Sequence, residues 1–321
     1  MHLRDYFSKL KKEYQNYFFS GIAFDSSKVK RNFIFFAIKG SKKDGHNFIG
    51  KAIKKGAKII IHEKKFSGIK NKILFLNSKN IRKLLAETSF RINNKIPKNL
   101  VAVTGTNGKS SISDFYFQIL KLNKKKVASI GTLGIKTNNS FKSLQNTTID
   151  PLKLSHIFKN LKRKKIENVV MEASSHGLKQ HRLDGLFFDV GIFSNLSHDH
   201  LDYHKNFKDY FHSKLYLFKK LIKKNGCVIT DQSIDQFSKI KNICKNRKLK
   251  LNFVSSKNDN FQIKVKSHKY YNESQLVEIV YKKLKFKFKL NLIGKVQLKN
   301  ILMAVIAAEK SGIKLKNIFN K

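Results

Sequence analysis

Apolar residues recur with two different spacings at the start of this chain. Leu3, Phe7, Leu10 and Tyr14 lie three or four apart, which predicts an amphipathic helix, whereas 33–38 is a continuous extended run. A helix over 46–55, strands over 58–61 and 73–76 and a helix over 81–90 follow, the alternation of a small α/β domain. Pro97, inside the polar stretch 93–99, marks a boundary, so a first domain is expected over 1–96 and a second over 97–321.

Beyond the boundary the rhythm is more regular. Short apolar strands over 100–104, 127–130, 168–171, 188–193 and 227–230 are separated by helices starting at Lys109, after Pro151 and over 207–223. Strands of this kind are buried on both faces, which predicts a mostly parallel sheet covered by helices. Alternation between 251 and 290 predicts further strands, and a last helix is expected over 296–310.

Composition changes this picture little. At 321 residues and 41% hydrophobic content the chain can bury two cores. Lys+Arg 67 against Asp+Glu 21 gives a formal charge of +46, a balance that raises nucleic acid or an anionic membrane as partner. The lysines are spread over the whole chain, however, and no basic and aromatic platform is clustered anywhere, so nucleic acid is not an expected partner. Cys227 and Cys244 are too few and too far apart for a disulfide framework or a C-x-x-C pair, which fits a reducing compartment. No segment approaches the ~20 apolar residues of a membrane span, and the N-terminus lacks a signal-type apolar stretch. A cytoplasmic protein without a membrane partner is expected.

The chemistry concentrates at strand ends. Val103-Thr104-Gly105-Thr106-Asn107-Gly108-Lys109-Ser110 lies between a buried strand and a helix, the context of a phosphate cradle. Glycines admit phosphate to the backbone N–H groups, Lys109 reaches the terminal phosphates, and the Ser110 hydroxyl suits magnesium. The full Walker pattern requires glycine where this chain has Val103, so an ordinary glycine turn remains the alternative. Glu172 ends the next strand, and His198-Asp199-His200 follows the one after. In an open parallel sheet such carboxyl ends line one crevice, and acidic oxygen with imidazole beside a triphosphate suits a divalent metal.

Four segments together resemble the Mur ligase family, of the type that adds the third amino acid to the UDP-linked peptidoglycan precursor. They are Thr104-Gly105-Thr106-Asn107-Gly108-Lys109-Ser110, Asn146-Thr147-Thr148, Met171-Glu172-Ala173-Ser174-Ser175-His176-Gly177-Leu178-Lys179-Gln180-His181-Arg182, and Ser194-Asn195-Leu196-Ser197-His198-Asp199-His200-Leu201-Asp202-Tyr203-His204. The glycine loop alone would also admit folylpolyglutamate synthetases; the other segments are narrower. Asp25-Ser26-Ser27, the run 33–40 and Asp44-Gly45 are similar to that family's uridine-binding domain.

The resemblance implies a small N-terminal α/β uridine-binding domain and a P-loop-type central domain with a mostly parallel sheet. It implies an ATP-dependent ligase that joins diaminopimelate, or alternatively lysine, to UDP-N-acetylmuramoyl-L-alanyl-D-glutamate through an acyl phosphate, as a monomer. ATP would sit on Gly105, Thr106, Asn107, Gly108, Lys109, Ser110, Ser111 and Asn300. Magnesium would be held by Ser110 and Glu172, with His200 on a second ion and a carbamylated Lys214 bridging them. Ser26, Asn146, Thr147, Thr148, Ser174, Gln180 and Arg182 would hold the UDP substrate. Ser41 stands where some family members have a uracil-contacting histidine, and Gln297 replaces the first asparagine of the segment that ends at Asn300. The family's third, amino-acid-binding domain is expected to be absent from 321 residues.

Overall fold

The computed structural model describes residues 1–7, 10–40, 43–144, 147–200, 202–255, 263–292 and 294–319. They form two compact units, one of Met1–Asn94 with Pro151–His156 and Gln180–Gly185, the other of Lys95–Asp150, Ile157–Lys179 and Leu186–Lys321.

The first unit is built on a five-stranded sheet in the order β1-β2-β3-β5-β4, from β1 (Gly21–Ala23), β2 (Phe33–Phe36), β3 (Ala57–His62), β4 (Gly68–Lys70) and β5 (Ile73–Asn77). All neighbours are parallel except β4 and β5. The run Ile59, Ile60 and Ile61 is wholly buried because successive side chains enter two separate apolar clusters, one on each face of the sheet. Helices α1 (Ile49–Lys54) and α2 (Ile81–Ile92) belong to this unit, the latter capped by the Asn80 side chain. The helix expected across Leu3 and Tyr14 is instead two short 3-10 turns, Leu3–Asp5 and Lys12–Tyr14. The segment doubles back, with Leu3 N–H on the Tyr17 carbonyl and Phe19 N–H on that of Met1, so Leu3, Phe7 and Tyr14 are buried without a continuous helix.

The second unit carries eleven strands in the order β16-β15-β14-β13-β12-β11-β6-β10-β7-β8-β9. The central strands are β6 (Asn99–Thr104), β7 (Val127–Gly131), β10 (Asn168–Glu172), β11 (Phe188–Phe193), β12 (Ile222–Asp231) and β13 (Lys250–Ser255), all parallel. At one edge stand β8 (Gly134–Thr137) and β9 (Ser140–Lys142), at the other β14 (Ile263–Tyr271), β15 (Ser274–Tyr281) and β16 (Leu284–Leu290); both edges are antiparallel meanders. Helices α3 (Lys109–Leu122), α4 (Pro151–Arg163), α5 (Ser175–Lys179), α6 (Phe207–Tyr216), α7 (Phe237–Arg247) and α8 (Lys295–Lys310) connect them. The chain leaves β6 to one side for β7 and β10, and returns to the other for β11, which makes the carboxyl end of β6 a switch point open to a ligand.

The helix expected over 207–223 stops earlier. After α6 a π-helical turn covers Leu217–Leu221, and β12 begins at Ile222. Arg247 donates to the carbonyls of Phe218 and Ile222, at 2.8 and 3.0 Å, and so satisfies acceptors that the ending helix leaves unpaired. Among the described residues no helix is long and apolar enough to cross a membrane.

Candidate active site

In the second unit, the loop after β6 turns through two glycines whose backbones exclude other residues. Gly105 has φ 151° and Gly108 φ 84°, and a β-carbon at Gly105 would lie 1.9 Å from the Ser194 hydroxyl. At Gly108 it would lie 2.8 Å from the amide oxygen of the buried Asn300, which places α8 against the loop. Gly108 is also the N-cap of α3, so the loop's N–H groups and the positive end of a helix dipole face the same point. Asn195 fixes the outer turn, taking the Asn107 N–H on its side chain at 2.9 Å and the Thr106 N–H on its carbonyl at 3.0 Å.

Lys109, on the first turn of α3, folds over the loop and donates to the carbonyls of Gly105 at 3.0 Å and Thr106 at 2.7 Å. Burial lowers its pKa, with the Glu172 charge opposing the shift. Ser110 donates to Glu172 Oε1 at 3.0 Å, while Ser111 stands half-buried on the same turn. Glu172 itself is buried at the end of β10. Its carboxylate also accepts from Thr132, whose N–H meets Oε1 at 3.0 Å and whose hydroxyl meets Oε2 at 2.9 Å.

Lys214, on α6, is 1% exposed and donates to the Gly105 carbonyl at 2.7 Å. Its ammonium position lies 4.3 Å from the centre of the Tyr210 ring. Burial, reinforced by repulsion from Lys109, pushes its pKa down to about 6. Tyr210 is fully buried and its hydroxyl is 3.0 Å from that of Thr106, so one helix face carries both the amine and a link to the loop. His200 is exposed, with φ 54° and its Nε2 3.4 Å from Asp199. Its ring meets those of His176 and Tyr210 edge-on at 5.0 and 6.0 Å. Among the described residues no three His, Cys, Asp or Glu side chains converge to hold a metal by themselves. The donor set that does converge, a buried carboxylate with the Ser110 hydroxyl beside it, is hard oxygen and fits a divalent cation completed by phosphate oxygens.

The residues expected to hold the UDP substrate divide between the units. In the second, the Thr148 hydroxyl is 2.9 Å from that of Ser174 and accepts the Ser174 N–H at 3.0 Å, while Thr147 is 3.0 Å from the Thr132 hydroxyl. In the first, Gln180 Oε1 accepts from Arg182 Nε and Nη2 at 3.0 and 2.7 Å, which orients the guanidinium. Ser26, also there, is buried at the start of a 3-10 turn that Asp25 caps by accepting from Ser27 N–H and hydroxyl; the Ser27 bonds hold the Asp25 carboxyl below its usual range. Asn146 and Ser41 lie outside the described residues.

The sequence pattern points to the segment that holds Asn195 without giving that residue a role, and it does not single out Thr132 or Tyr210. Thr132 had a signal, being the third-from-last of Gly131-Thr132-Leu133-Gly134, a glycine-flanked turn directly after a predicted strand. Tyr210 had none, since one aromatic on a helix reads as core.

Residues 103–308 match the model of the Mur ligase middle domain, and residues 19–89 that of the Mur ligase family catalytic domain. A UDP-N-acetylmuramoyl-L-alanyl-D-glutamate--2,6-diaminopimelate ligase of Rickettsia conorii is 33% identical over 315 residues, 97% of this chain and 65% of its own length. One of the same name from Clostridium tetani is 35% identical over 301 residues, 92% of this chain and 60% of its own. The chain therefore spans less than two thirds of the length of these relatives. A solved structure of a ligase of that name superposes with a TM-score of 0.87 at 24% identity, covering 100% of this chain and 66% of the other. A MurF ligase from Thermotoga maritima in complex with ADP superposes at 0.59 with 21% identity, covering 94% and 65%; both likenesses concern the fold.

Proposed function

The chain belongs to the Mur ligase family, and from that premise we propose that it carries the ATP site and the UDP-substrate residues of a cytoplasmic ligase adding the third amino acid to UDP-N-acetylmuramoyl-L-alanyl-D-glutamate. The names of the relatives favour diaminopimelate over lysine as that amino acid. The observation that carries the reading is the glycine loop with Lys109 and Ser110 set against the buried Glu172.

In the reaction so proposed, the γ-phosphoryl group of ATP passes to the free carboxylate of the D-glutamyl residue and ADP leaves. The amine of the incoming amino acid then attacks the acyl phosphate carbon, a C–N bond forms, the C–O bond to phosphate breaks, and the amine loses a proton. Such a transfer depends on positioning and charge neutralisation more than on a covalent nucleophile. Lys109 and the loop N–H groups would take the phosphates, and Asn300, close against Gly108, would border the nucleotide. Glu172 and Ser110 would hold one magnesium ion, and His200 with Lys214 as its carbamate a second; the ions supply neutralisation of the charge that develops on the phosphoryl oxygens. Thr147, Thr148 and Ser174 would bind the UDP-muramoyl-dipeptide, as would Ser26, Gln180 and Arg182, the last as partner of a carboxylate or phosphate.

Calorimetry with ADP and magnesium tests the nucleotide site. The chain is expected to bind, and Lys109→Met to weaken binding at least about 10-fold, the loss of one charge-assisted phosphate contact, with its thermal midpoint kept. Equal affinity in the two proteins would remove the loop from the nucleotide site.

A further inference from the structure

The turn between β7 and β8 is shaped around one side chain. Gly131 and Gly134 pair across it, leaving Thr132 and Leu133 as a two-residue hairpin loop. A β-carbon on Gly131 would lie 2.1 Å from Glu172 Oε1, and one on Gly134 2.4 Å from the Lys142 carbonyl, with Gly134 at φ 116°. Both flanks are thus cut down to backbone, and the Glu172 carboxylate lies across the space that this opens.

We propose that Thr132 is a positioning residue which aims the Glu172 carboxylate at the divalent cation. Two of the contacts on that carboxylate come from Thr132, the N–H on one oxygen and the hydroxyl on the other, a two-point grip that fixes the rotation of the group as well as its position. Ser110, which supplies the remaining contact described above, is itself placed to ligate the cation. The one hydroxyl proton of Thr132 goes to Oε2. Thr147 must then be the donor in the 3.0 Å contact between the two threonine hydroxyls, which locks the Thr132 rotamer. Carboxylates that bind metals generally need such an outer hydrogen bond, and its removal typically weakens the metal by about 10- to 100-fold. Thr132 is exposed and belongs to no apolar cluster, so exchanging its hydroxyl for a methyl group leaves the core untouched.

The proposal rests on the reading of Glu172 as a cation ligand, and one titration series separates the two. Mn2+, detected as the free ion by electron paramagnetic resonance, is titrated into the chain with saturating ADP for wild type, Thr132→Val and Thr132→Ser, with thermal midpoints recorded for each. Wild type is expected to bind, Thr132→Val about 10-fold more weakly, and Thr132→Ser within about 2-fold of wild type, at midpoints within about 2 °C of one another. If wild type binds and Thr132→Val binds as tightly, the positioning role is wrong and the cation site stands. Equal loss in the serine variant would assign the effect to the methyl group and overturn the proposal. Should wild type bind no Mn2+ in the presence of ADP, the cation site falls, and the role of Thr132 with it.

Discussion

Lys109 and Lys214 donate to the same acceptor, the carbonyl oxygen of Gly105, at 3.0 and 2.7 Å. Two ammonium groups on one carbonyl repel each other, and the more buried of them yields. Lys214 is held down to about 6 by burial first and by Lys109 second, so near neutral pH much of its amine is in the uncharged form. An uncharged amine is the form that adds to carbon dioxide, with one N–C bond made and one proton released. The carbamate that the family resemblance implies would need that form of the amine.

We predict a carbamate on Lys214. With 13C-bicarbonate at pH 7.5, the wild-type chain should show a protein-bound carbamate resonance that Lys214→Met lacks, and added magnesium should sharpen it. A spectrum identical in the two proteins would leave Lys214 as a plain buried amine.

Gly131→Ala should act at a distance from the backbone it alters. Its φ lies outside the left-handed region, so no strain arises there, and the added methyl instead meets Glu172 Oε1 at 2.1 Å. The carboxylate must move, and magnesium-dependent nucleotide binding should fall about 10-fold while magnesium-free binding changes less. Loss of both to the same extent, or of neither, would show that the carboxylate does not serve the cation.

Acid should destabilise the second unit through His204. Its ring is buried with Nε2 3.0 Å from the Ser175 hydroxyl and Nδ1 3.4 Å from Asp209. Burial, then the charge of Lys179, lowers its pKa below 6.5, with Asp209 opposing and Lys214 assisting. The unfolded chain accordingly binds a proton below pH 6.5 that the folded chain refuses, so this contribution to stability is present above 6.5 and lost as pH falls toward the folded pKa. Asp209, lowered chiefly by its bond to Lys179, acts only below 3.8 and lies outside this window. Urea unfolding should show wild type losing up to about 1 kcal/mol more than His204→Gln between pH 7 and 5.5. A parallel decline in both would clear His204 of the effect.

Much of this site was legible before the fold was known, and what was missed shares a cause. The glycine loop announces itself because Gly105 and Gly108 must occupy backbone regions that few other residues tolerate, and Glu172 because a carboxylate ends an apolar strand. The parallel sheet followed from runs such as 100–104 and 188–193, whose continuous apolarity requires cover on both faces. The early end of α6 was hidden because Leu217, Phe218 and Leu221 keep helical spacing through a π turn whose carbonyls depend on Arg247, far along the chain. The grip of Thr132 on Glu172 joins positions forty residues apart, and no local pattern encodes it.

Recognition of the UDP-linked muramoyl-dipeptide by this chain is tested most directly by a calorimetric titration with UDP-N-acetylmuramoyl-L-alanyl-D-glutamate. The residues proposed for that ligand include Ser26, Thr147, Thr148, Ser174, Gln180 and Arg182. Binding with a Kd below about 1 mM is expected, about 4 kcal/mol of affinity, weakened by Arg182→Ala by roughly 10-fold. No heat at millimolar ligand, from a chain shown by its thermal unfolding to be folded, would contradict the account.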